Sequence, residues 1–194
     1  RLPVSVGDSR TFYRANSASS MHDVMSAGQA GYIDYGFLGA AQIDAYGNLN
    51  TTVIGPHKLP KVRLPGSGGA ADIGSFAWET IIIMNQDARR FVPKLDFLTT
   101  PGFLHGPGAR SRAGLPEETG PYRVISQLGL YDFCQETRRM RLIAVHPGVS
   151  VDEALESSGF ELLVADDVAT TAAPTEGQLN IMRTLDPEGL ILGR

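Results

Sequence analysis

The 194-residue sequence contains few of the features that mark specialised classes of protein. Its one cysteine, Cys134, cannot form a disulfide within the chain, which excludes the small secreted scaffolds that depend on such bridges. The four histidines lie far apart and none is paired at helical spacing, so a metal site is disfavoured. Nucleic-acid binding is disfavoured too, because no basic run exceeds Arg138-Arg139 and the net charge is −4.

Long hydrophobic runs are also missing. The longest purely apolar stretches, such as residues 81–84, have the length of a strand and are far too short to span a membrane. Hydrophobic residues nevertheless make up 42% of the chain and charged residues 20%, which is the composition of a globular protein and not of a disordered one. We therefore expect a soluble, cytoplasmic protein that folds as a single domain over residues 1–194.

Helix and strand signals alternate along much of the chain. A serine cluster precedes a predicted helix over residues 21–30, a capping-box pattern at Ser150 starts a second helix, and Thr175 starts a third that ends near Leu185. Strands are predicted at 33–43, 50–54, 80–84, 122–126, 129–133, 141–145 and 160–164, with a strand-like run at 89–98 and irregular structure over 100–121. This alternation predicts an α/β fold with a largely parallel sheet and flanking helices.

The most distinctive stretch is the glycine-dense segment 61–73. Three of its glycines, Gly66, Gly68 and Gly69, can take positive φ angles and let a ligand approach their N–H groups. If a helix starts directly after them, the loop favours a group that is or becomes negatively charged. A simple turn is the commoner explanation for such a cluster. A dinucleotide-binding loop fits poorly, because Pro65 stands where the preceding strand should end, and a phosphate loop of the Walker type lacks its lysine.

The remaining reactive side chains form no legible catalytic pattern. His105 and the Glu117-Glu118 pair fall in the glycine- and proline-rich stretch, where solvated loop residues are the simpler explanation. Cys134 is flanked by Phe133 and Gln135 and is interpreted as a small, partly buried hydrophobic residue. The residues alone thus indicate an α/β enzyme-like domain with one loop of backbone donors and no evident nucleophile.

Five stretches, taken together and in order, resemble the β subunit of class I coenzyme A transferases of the glutaconate type. They are residues 36–50, the loop GSGGAAD at 66–72, and residues 89–102, 129–133 and 142–150. Each stretch is modest alone, whereas their order and spacing are fairly specific. The resemblance covers nearly the whole chain.

The resemblance implies a fold shared by coenzyme A transferases and sugar-phosphate isomerases. It implies that coenzyme A moves from an acyl thioester to a small carboxylic or dicarboxylic acid, through an acyl anhydride and a thioester on an enzyme glutamate. A coenzyme A thioester is then a substrate, and no bound cofactor or metal is implied. A homologous α subunit completes the active site, so we expect a hetero-oligomer.

The resemblance also implies roles for individual residues. The glycine loop is implied to supply an oxyanion hole, a set of N–H donors that stabilises a negatively charged carbonyl oxygen. Removing one donor from an oxyanion hole lowers the rate on the order of a hundredfold or more. The implied oxyanion donors are Gly68 and Gly69, and the implied substrate-binding residues are Gly66, Ser67, Ala70 and Gln42.

One departure from the family concerns the nucleophile. The glutamate motif of the family lies upstream of the part that matches residues 32–50, and residues 1–31 contain no glutamate; the first is Glu79. Since the chain also begins without methionine, we expect a C-terminal portion of a longer subunit, with the glutamate on a missing N-terminal segment or a separate peptide. Two alternatives stay open: a relative that hydrolyses or ring-opens coenzyme A thioesters with residues of an α subunit, and a non-catalytic structural or regulatory subunit.

Overall fold

The computed structural model describes Pro3 and residues 7–190. By their contacts, residues 22–171 form one unit, and the residues before and after them form a second, smaller one. Within the described residues, no helix combines the length and apolar character needed to cross a membrane.

The elements of regular structure are short and follow one another closely along the chain. The strands are β1 (Tyr35–Leu38), β2 (Gln42–Ile43), β3 (Leu49–Asn50), β4 (Val53–Ile54), β5 (Val62–Arg63), β6 (Glu79–Ile83), β7 (Pro121–Ile125), β8 (Gly129–Phe133), β9 (Met140–Val145) and β10 (Leu163–Thr170). The helices are α1 (Met21–Gln29), α2 (Ala70–Phe76), α3 (Ala109–Arg112), α4 (Val151–Glu156) and α5 (Glu176–Leu185), and a short 3-10 helix covers Ser9–Phe12.

A six-stranded sheet in the order β1-β6-β7-β8-β9-β10 forms the centre of the larger unit. Strands β1, β6 and β7 pair in parallel, β8 runs antiparallel to both of its neighbours, and β9 pairs in parallel with β10. Five of the six strands therefore run in one direction. The predicted α/β class with a largely parallel sheet is confirmed, and the strand pairs β2-β3 and β4-β5 add two small antiparallel ribbons.

The core lies against one face of this sheet. Alternate residues of β6 point to opposite faces, so Ile82 is fully buried whereas Ile83 is 53% exposed. On β1, Phe37 is 63% exposed, and its neighbour Gly36 faces α2 so closely that a Cβ would lie 2.3 Å from Cγ2 of Ile73. The largest fully buried side chains are those of Tyr131, Phe91, Ile43, Leu49, Ile82, Met140 and Leu142.

The predicted helices are confirmed, and so are the capping residues of α4 and α5. Helix α1 covers Met21–Gln29, close to the predicted 21–30. The Ser150 hydroxyl accepts a hydrogen bond from the N–H of Glu153 at the start of α4. In the smaller unit, Thr175 and Gln178 exchange hydrogen bonds in a capping box that starts α5.

Several predicted strands are placed differently. The run 89–98 forms no strand: Phe91 makes one isolated bridge to Ile43, and the chain is already irregular at Pro93, which has no N–H to donate. The run 50–54 divides into β3 and β4 because the Asn50 side chain accepts a hydrogen bond from the N–H of Thr52 and bends the chain. The run 33–43 divides likewise into β1 and β2.

The strand predicted at 160–164 begins only at Leu163 and continues to Thr170. The preceding residues pack on the core before the sheet starts. The ring of Phe160 stacks on Phe91 at 6.1 Å, and the carbonyl of Phe160 accepts a hydrogen bond from the Ser158 hydroxyl.

Candidate active site

The glycine loop lies at the carboxyl end of β1, where parallel sheets commonly bind ligands. It connects β5 to α2, and the residues that directly follow β1 stand opposite it across a cavity of about 360 Å³. A Cβ on Gly39 would lie 3.4 Å from the carbonyl oxygen of Ile83, which ends the neighbouring strand β6. The cavity is lined by Gly39, Ala40, Ala41, Thr51, Leu64, Pro65, Gly66, Ser67 and Ala70.

Two glycines of the loop are required by backbone conformation and not by packing. Gly66 has φ +95° and Gly68 has φ +49°, which side-chain-bearing residues rarely adopt. A Cβ at either position would meet no atom within 4 Å, so the space above their backbone is open to a ligand. Gly69, by contrast, has φ −89° and lies so close to Met25 that a Cβ would stand 2.3 Å from its Cε.

Some N–H groups of the loop already donate hydrogen bonds within the protein, and others do not. The N–H of Gly66 donates to the carbonyl of Thr51 at 2.9 Å, and that of Ala70 donates to the carbonyl of Ser67 at 2.9 Å. Among the described residues, the N–H groups of Ser67, Gly68 and Gly69 have no protein acceptor. Two predicted contact residues, Gly66 and Ala70, can therefore touch a ligand but have no free N–H, whereas Gly68 and Gly69 can both donate.

Thr51 holds the loop from a segment distant in sequence. Besides accepting from Gly66, it donates its hydroxyl to the Gly66 carbonyl at 2.8 Å. Its own N–H donates to the hydroxyl of Thr99 at 3.0 Å, and that hydroxyl also lies 2.7 Å from the hydroxyl of Thr52. Nothing in the local sequence around Thr51 indicates this function, because the contact depends on how the β4-β5 ribbon folds back.

Helix α2 is fixed at its other end by a buried cation. Arg110 is 3% exposed and donates to the carbonyls of Gly74 and Ser75 in the last turn of α2, each at 3.1 Å. It also donates to the carbonyl of Gly102 at 2.9 Å, which ties the irregular segment after β6 to the helix. Burial lowers the pKa of the Arg110 guanidinium to about 10, so the group stays protonated near neutral pH. Because α2 has only seven residues, we assign hydrogen-bond donation in this site to the loop amides and not to the N-terminus of the helix.

Of the predicted site residues, Gly66, Ser67 and Ala70 line the cavity, and Gly68 and Gly69 lie between them in the loop. Gln42 lies elsewhere. It is 6% exposed, and its amide oxygen accepts from Nδ2 of Asn50 at 2.7 Å and from the N–H of Asp96 at 3.1 Å. Its amide nitrogen donates to Oδ2 of Asp96 at 2.9 Å. The structure thus brings the five residues 66–70 together and places Gln42 in a network that holds the neighbouring turns.

Glu79, the first glutamate of the chain, lies at the far end of the sheet from the loop. It starts β6 and pairs with Tyr35 at the amino end of β1, whereas the cavity is lined by residues that follow the carboxyl end of β1. The separation along the strand is on the order of 10 Å. The negative charge of Glu79 raises the pKa of Tyr35. No group of three or more metal-ligating side chains occurs within Pro3 and residues 7–190.

Comparison with known proteins agrees with the family resemblance of the sequence. The model of the coenzyme A transferase family matches residues 4–157. The B subunit of the 3-oxoadipate CoA-transferase of Pseudomonas knackmussii is 41% identical over 95% of this chain and 71% of its own length. The B subunit of the glutaconate CoA-transferase of Acidaminococcus fermentans is 43% identical over 78% of this chain, which spans 56% of that relative.

Other relatives carry a different activity in their names. The cholesterol ring-cleaving hydrolase IpdB subunit of Mycobacterium tuberculosis is 29% identical over 79% of this chain and 60% of its own length.

Solved structures give the same fold. The crystal structure of glutaconate coenzyme A-transferase from Acidaminococcus fermentans matches with a TM-score of 0.87 and 36% identity, covering 94% of this chain and 71% of that chain. The decarboxylase AibA/AibB matches with a TM-score of 0.75 and 25% identity, covering 91% and 66%.

Proposed function

The chain belongs to the coenzyme A transferase family, and from this premise we propose that it is the β subunit of an enzyme that moves coenzyme A between an acyl-CoA and a small carboxylic or dicarboxylic acid. The observation that carries the proposal is the loop Gly66–Ala70. Its amides at Ser67, Gly68 and Gly69 have no acceptor among the described residues, and Gly66, Ser67 and Ala70 line an open cavity. The names of the two transferase relatives, both of them B subunits, support it.

The chemistry of transfer explains why a loop of this kind is useful. A glutamate carboxylate adds to the thioester carbonyl of the acyl-CoA, and coenzyme A leaves as the thiolate, which forms an acyl-glutamyl anhydride. The thiolate then adds to the glutamyl carbonyl and releases the first acid, which leaves coenzyme A on the enzyme. Each addition places a negative charge on a carbonyl oxygen, and Gly68 and Gly69 are the proposed donors to it.

The surroundings of the loop favour this use. The loop amides are neutral. They can stabilise a transient oxyanion without binding a substrate carboxylate as tightly as a cationic side chain would. Ala40, Ala41, Leu64 and Pro65 provide an apolar lining near the donors. A lining that keeps water away strengthens each hydrogen bond to the developing charge.

The nucleophilic glutamate is proposed to lie outside these 194 residues. Glu79 lies near the opposite end of its strand from the loop. A homologous α subunit and a polypeptide that carries the family glutamate would complete the site, and acyl-CoA and the acceptor acid would be its small-molecule partners.

Hydrolysis of a coenzyme A thioester is the second candidate. The 29% identity to the subunit of a ring-cleaving hydrolase supports hydrolytic chemistry in general, either thioester hydrolysis or ring opening. In that case water replaces the acceptor carboxylate, and the same loop would serve the oxyanion.

Product analysis distinguishes these functions. The chain assembled with its α subunit is incubated with an acyl-CoA and an isotope-labelled carboxylic acid, and both thioesters and free coenzyme A are followed by mass spectrometry. A transferase produces the labelled thioester without net release of coenzyme A. Release of coenzyme A at the same rate with or without the acceptor identifies a hydrolase, and failure to consume any acyl-CoA identifies a non-catalytic subunit.

A further inference from the structure

A second cavity lies at the opposite edge of the sheet from the glycine loop. It encloses about 500 Å³ near the amino ends of β7 and β9 and the carboxyl end of the antiparallel strand β8. It is lined by Phe103, Pro121, Tyr122, Arg123, Asp132, Phe133, Gln135, Glu136, Arg138 and Arg141.

The acids of this cavity already have partners. Asp132 accepts two hydrogen bonds from Arg141, at 2.9 and 2.7 Å, in a paired arrangement. Glu136 accepts a hydrogen bond from Sγ of Cys134 at 2.9 Å. The cations Arg123 and Arg138 form no ion pair within the part of the chain that the structure describes.

The two unpaired arginines are held in place by aromatic rings. The guanidinium carbon of Arg123 lies 3.9 Å from the ring centre of Tyr122, and that of Arg138 lies 5.0 Å from the ring centre of Phe103. Both arginines are partly buried. Arg123 donates once, to the carbonyl of Tyr122, and the described residues offer no acceptor to the guanidinium of Arg138. A partly buried cation with unused donors is costly unless an anion meets it.

The backbone of Arg138 adds an independent observation. Its φ of +57° lies in the left-handed region, where a residue other than glycine or asparagine costs roughly 1–2 kcal/mol. Asparagine or glycine would adopt this conformation at lower cost, so the arginine at this position carries backbone strain. Strain of this kind points to a function of the side chain.

We propose that this cavity binds a phosphate-bearing small molecule, and that Arg123 and Arg138 donate hydrogen bonds to its phosphate. Guanidinium groups bind phosphate oxygens through paired hydrogen bonds, and the volume suits a molecule up to the size of a nucleotide. Glu117 and Glu118 border the adjoining space beside Arg138. Both are exposed and form no ion pair with Arg138 among the described residues, so its guanidinium donors are not used by them. The inference does not depend on the proposed transferase activity.

Calorimetric titration of the assembled protein tests the proposal. The probes are inorganic phosphate, adenosine 3′,5′-bisphosphate, coenzyme A, and pantetheine as the phosphate-free control. Arg138→Asn should weaken binding of the bisphosphate about ten- to a hundredfold. Its melting temperature should stay equal or rise, because asparagine relieves the backbone strain. The matched control is Arg89→Gln, which removes one charge from a side chain that is 91% exposed.

The probes also distinguish two sources of the phosphate. Binding of coenzyme A with the same dependence on Arg138 identifies its nucleotide end as the ligand. Binding of the bisphosphate but not of coenzyme A identifies a separate phosphorylated metabolite. The proposal is overturned if no phosphate compound binds at about 1 mM, or if Arg138→Asn and Arg89→Gln bind alike. It is also overturned if loss of Arg138 weakens only the association with the α subunit.

Discussion

At Gly68 the backbone has a φ of +49°, and the space where a Cβ would stand is open. Gly148 offers the same combination, with φ +87° and no atom within 4 Å, in an exposed turn. Alanine at either position should lower stability by about 1 kcal/mol through the same backbone strain. Gly68→Ala alone should also reduce kcat of the assembled enzyme, on the order of tenfold or more, because its methyl group would enter the space proposed for the reacting carbonyl.

The paired design separates strain from contact with the ligand. Denaturant unfolding gives the stability of each variant, and steady-state kinetics gives kcat and KM. Equal activity of the Gly68→Ala and Gly148→Ala variants would show that no reacting group approaches Gly68.

Thr51 tests whether the loop must be held in one position. Thr51→Val keeps the shape of the side chain and removes the hydroxyl that donates to the Gly66 carbonyl. We expect about 1 kcal/mol of lost stability and a several-fold lower kcat with a smaller change in KM, since the donors would be less well oriented.

Thr51→Ser retains the hydroxyl and is the matched control. It should keep most of the activity of the native enzyme. An unchanged kcat in Thr51→Val would mean that the remaining bond from the N–H of Gly66 to the Thr51 carbonyl positions the loop without help.

At the level of residues, the sequence predicts the site only in part. The glycine pattern located the loop and the positive φ angles of Gly66 and Gly68, because those are local properties. It did not show that Gly69 has a negative φ and is needed for its close approach to Met25. It could not show that the N–H of Gly66 donates to the Thr51 carbonyl, or that Gln42 is enclosed by Asn50 and Asp96, because these contacts join distant segments.

Among the elements, α2 and α3 are joined by Arg110. Arg110→Met removes donors from the carbonyls of Gly74, Ser75 and Gly102, and it leaves those of the buried Gly74 and Gly102 without partners. A loss of about 2–4 kcal/mol in the free energy of unfolding is expected.

Arg112→Met, in the same helix α3, is the control. Arg112 is exposed and makes one hydrogen bond, to the carbonyl of Pro107 at 3.4 Å. This change should stay within about 0.5 kcal/mol. Urea unfolding measures both variants, and similar losses in the two would contradict the structural importance given to Arg110.

Elements with local start signals were predicted well, and apolar runs without such signals were not. Ser150 and Thr175 cap their helices through side-chain contacts that lie within three residues. The run 89–98 resembles a strand because it contains Phe91, which is fully buried against Tyr131 and Phe160. This part of the chain nevertheless packs on the core as irregular structure. Hydrophobicity alone does not distinguish a buried loop from a strand.

For the whole molecule, the alternation of helices and strands was enough to predict the α/β class. It did not reveal that β8 is reversed, since that depends on which strands are joined by hairpins. The prediction of one domain over residues 1–194 stays a prediction.

The account of function depends on a glutamate that these 194 residues do not place beside the loop. The most direct measurement is to incubate the assembled enzyme with an acyl-CoA, reduce it with borohydride, and map the modified residue by mass spectrometry. We predict a reduced glutamyl adduct on a polypeptide outside this chain, formed more slowly in Gly68→Ala. Acyl-CoA consumption without any adduct, or an adduct on Glu79, would contradict the account.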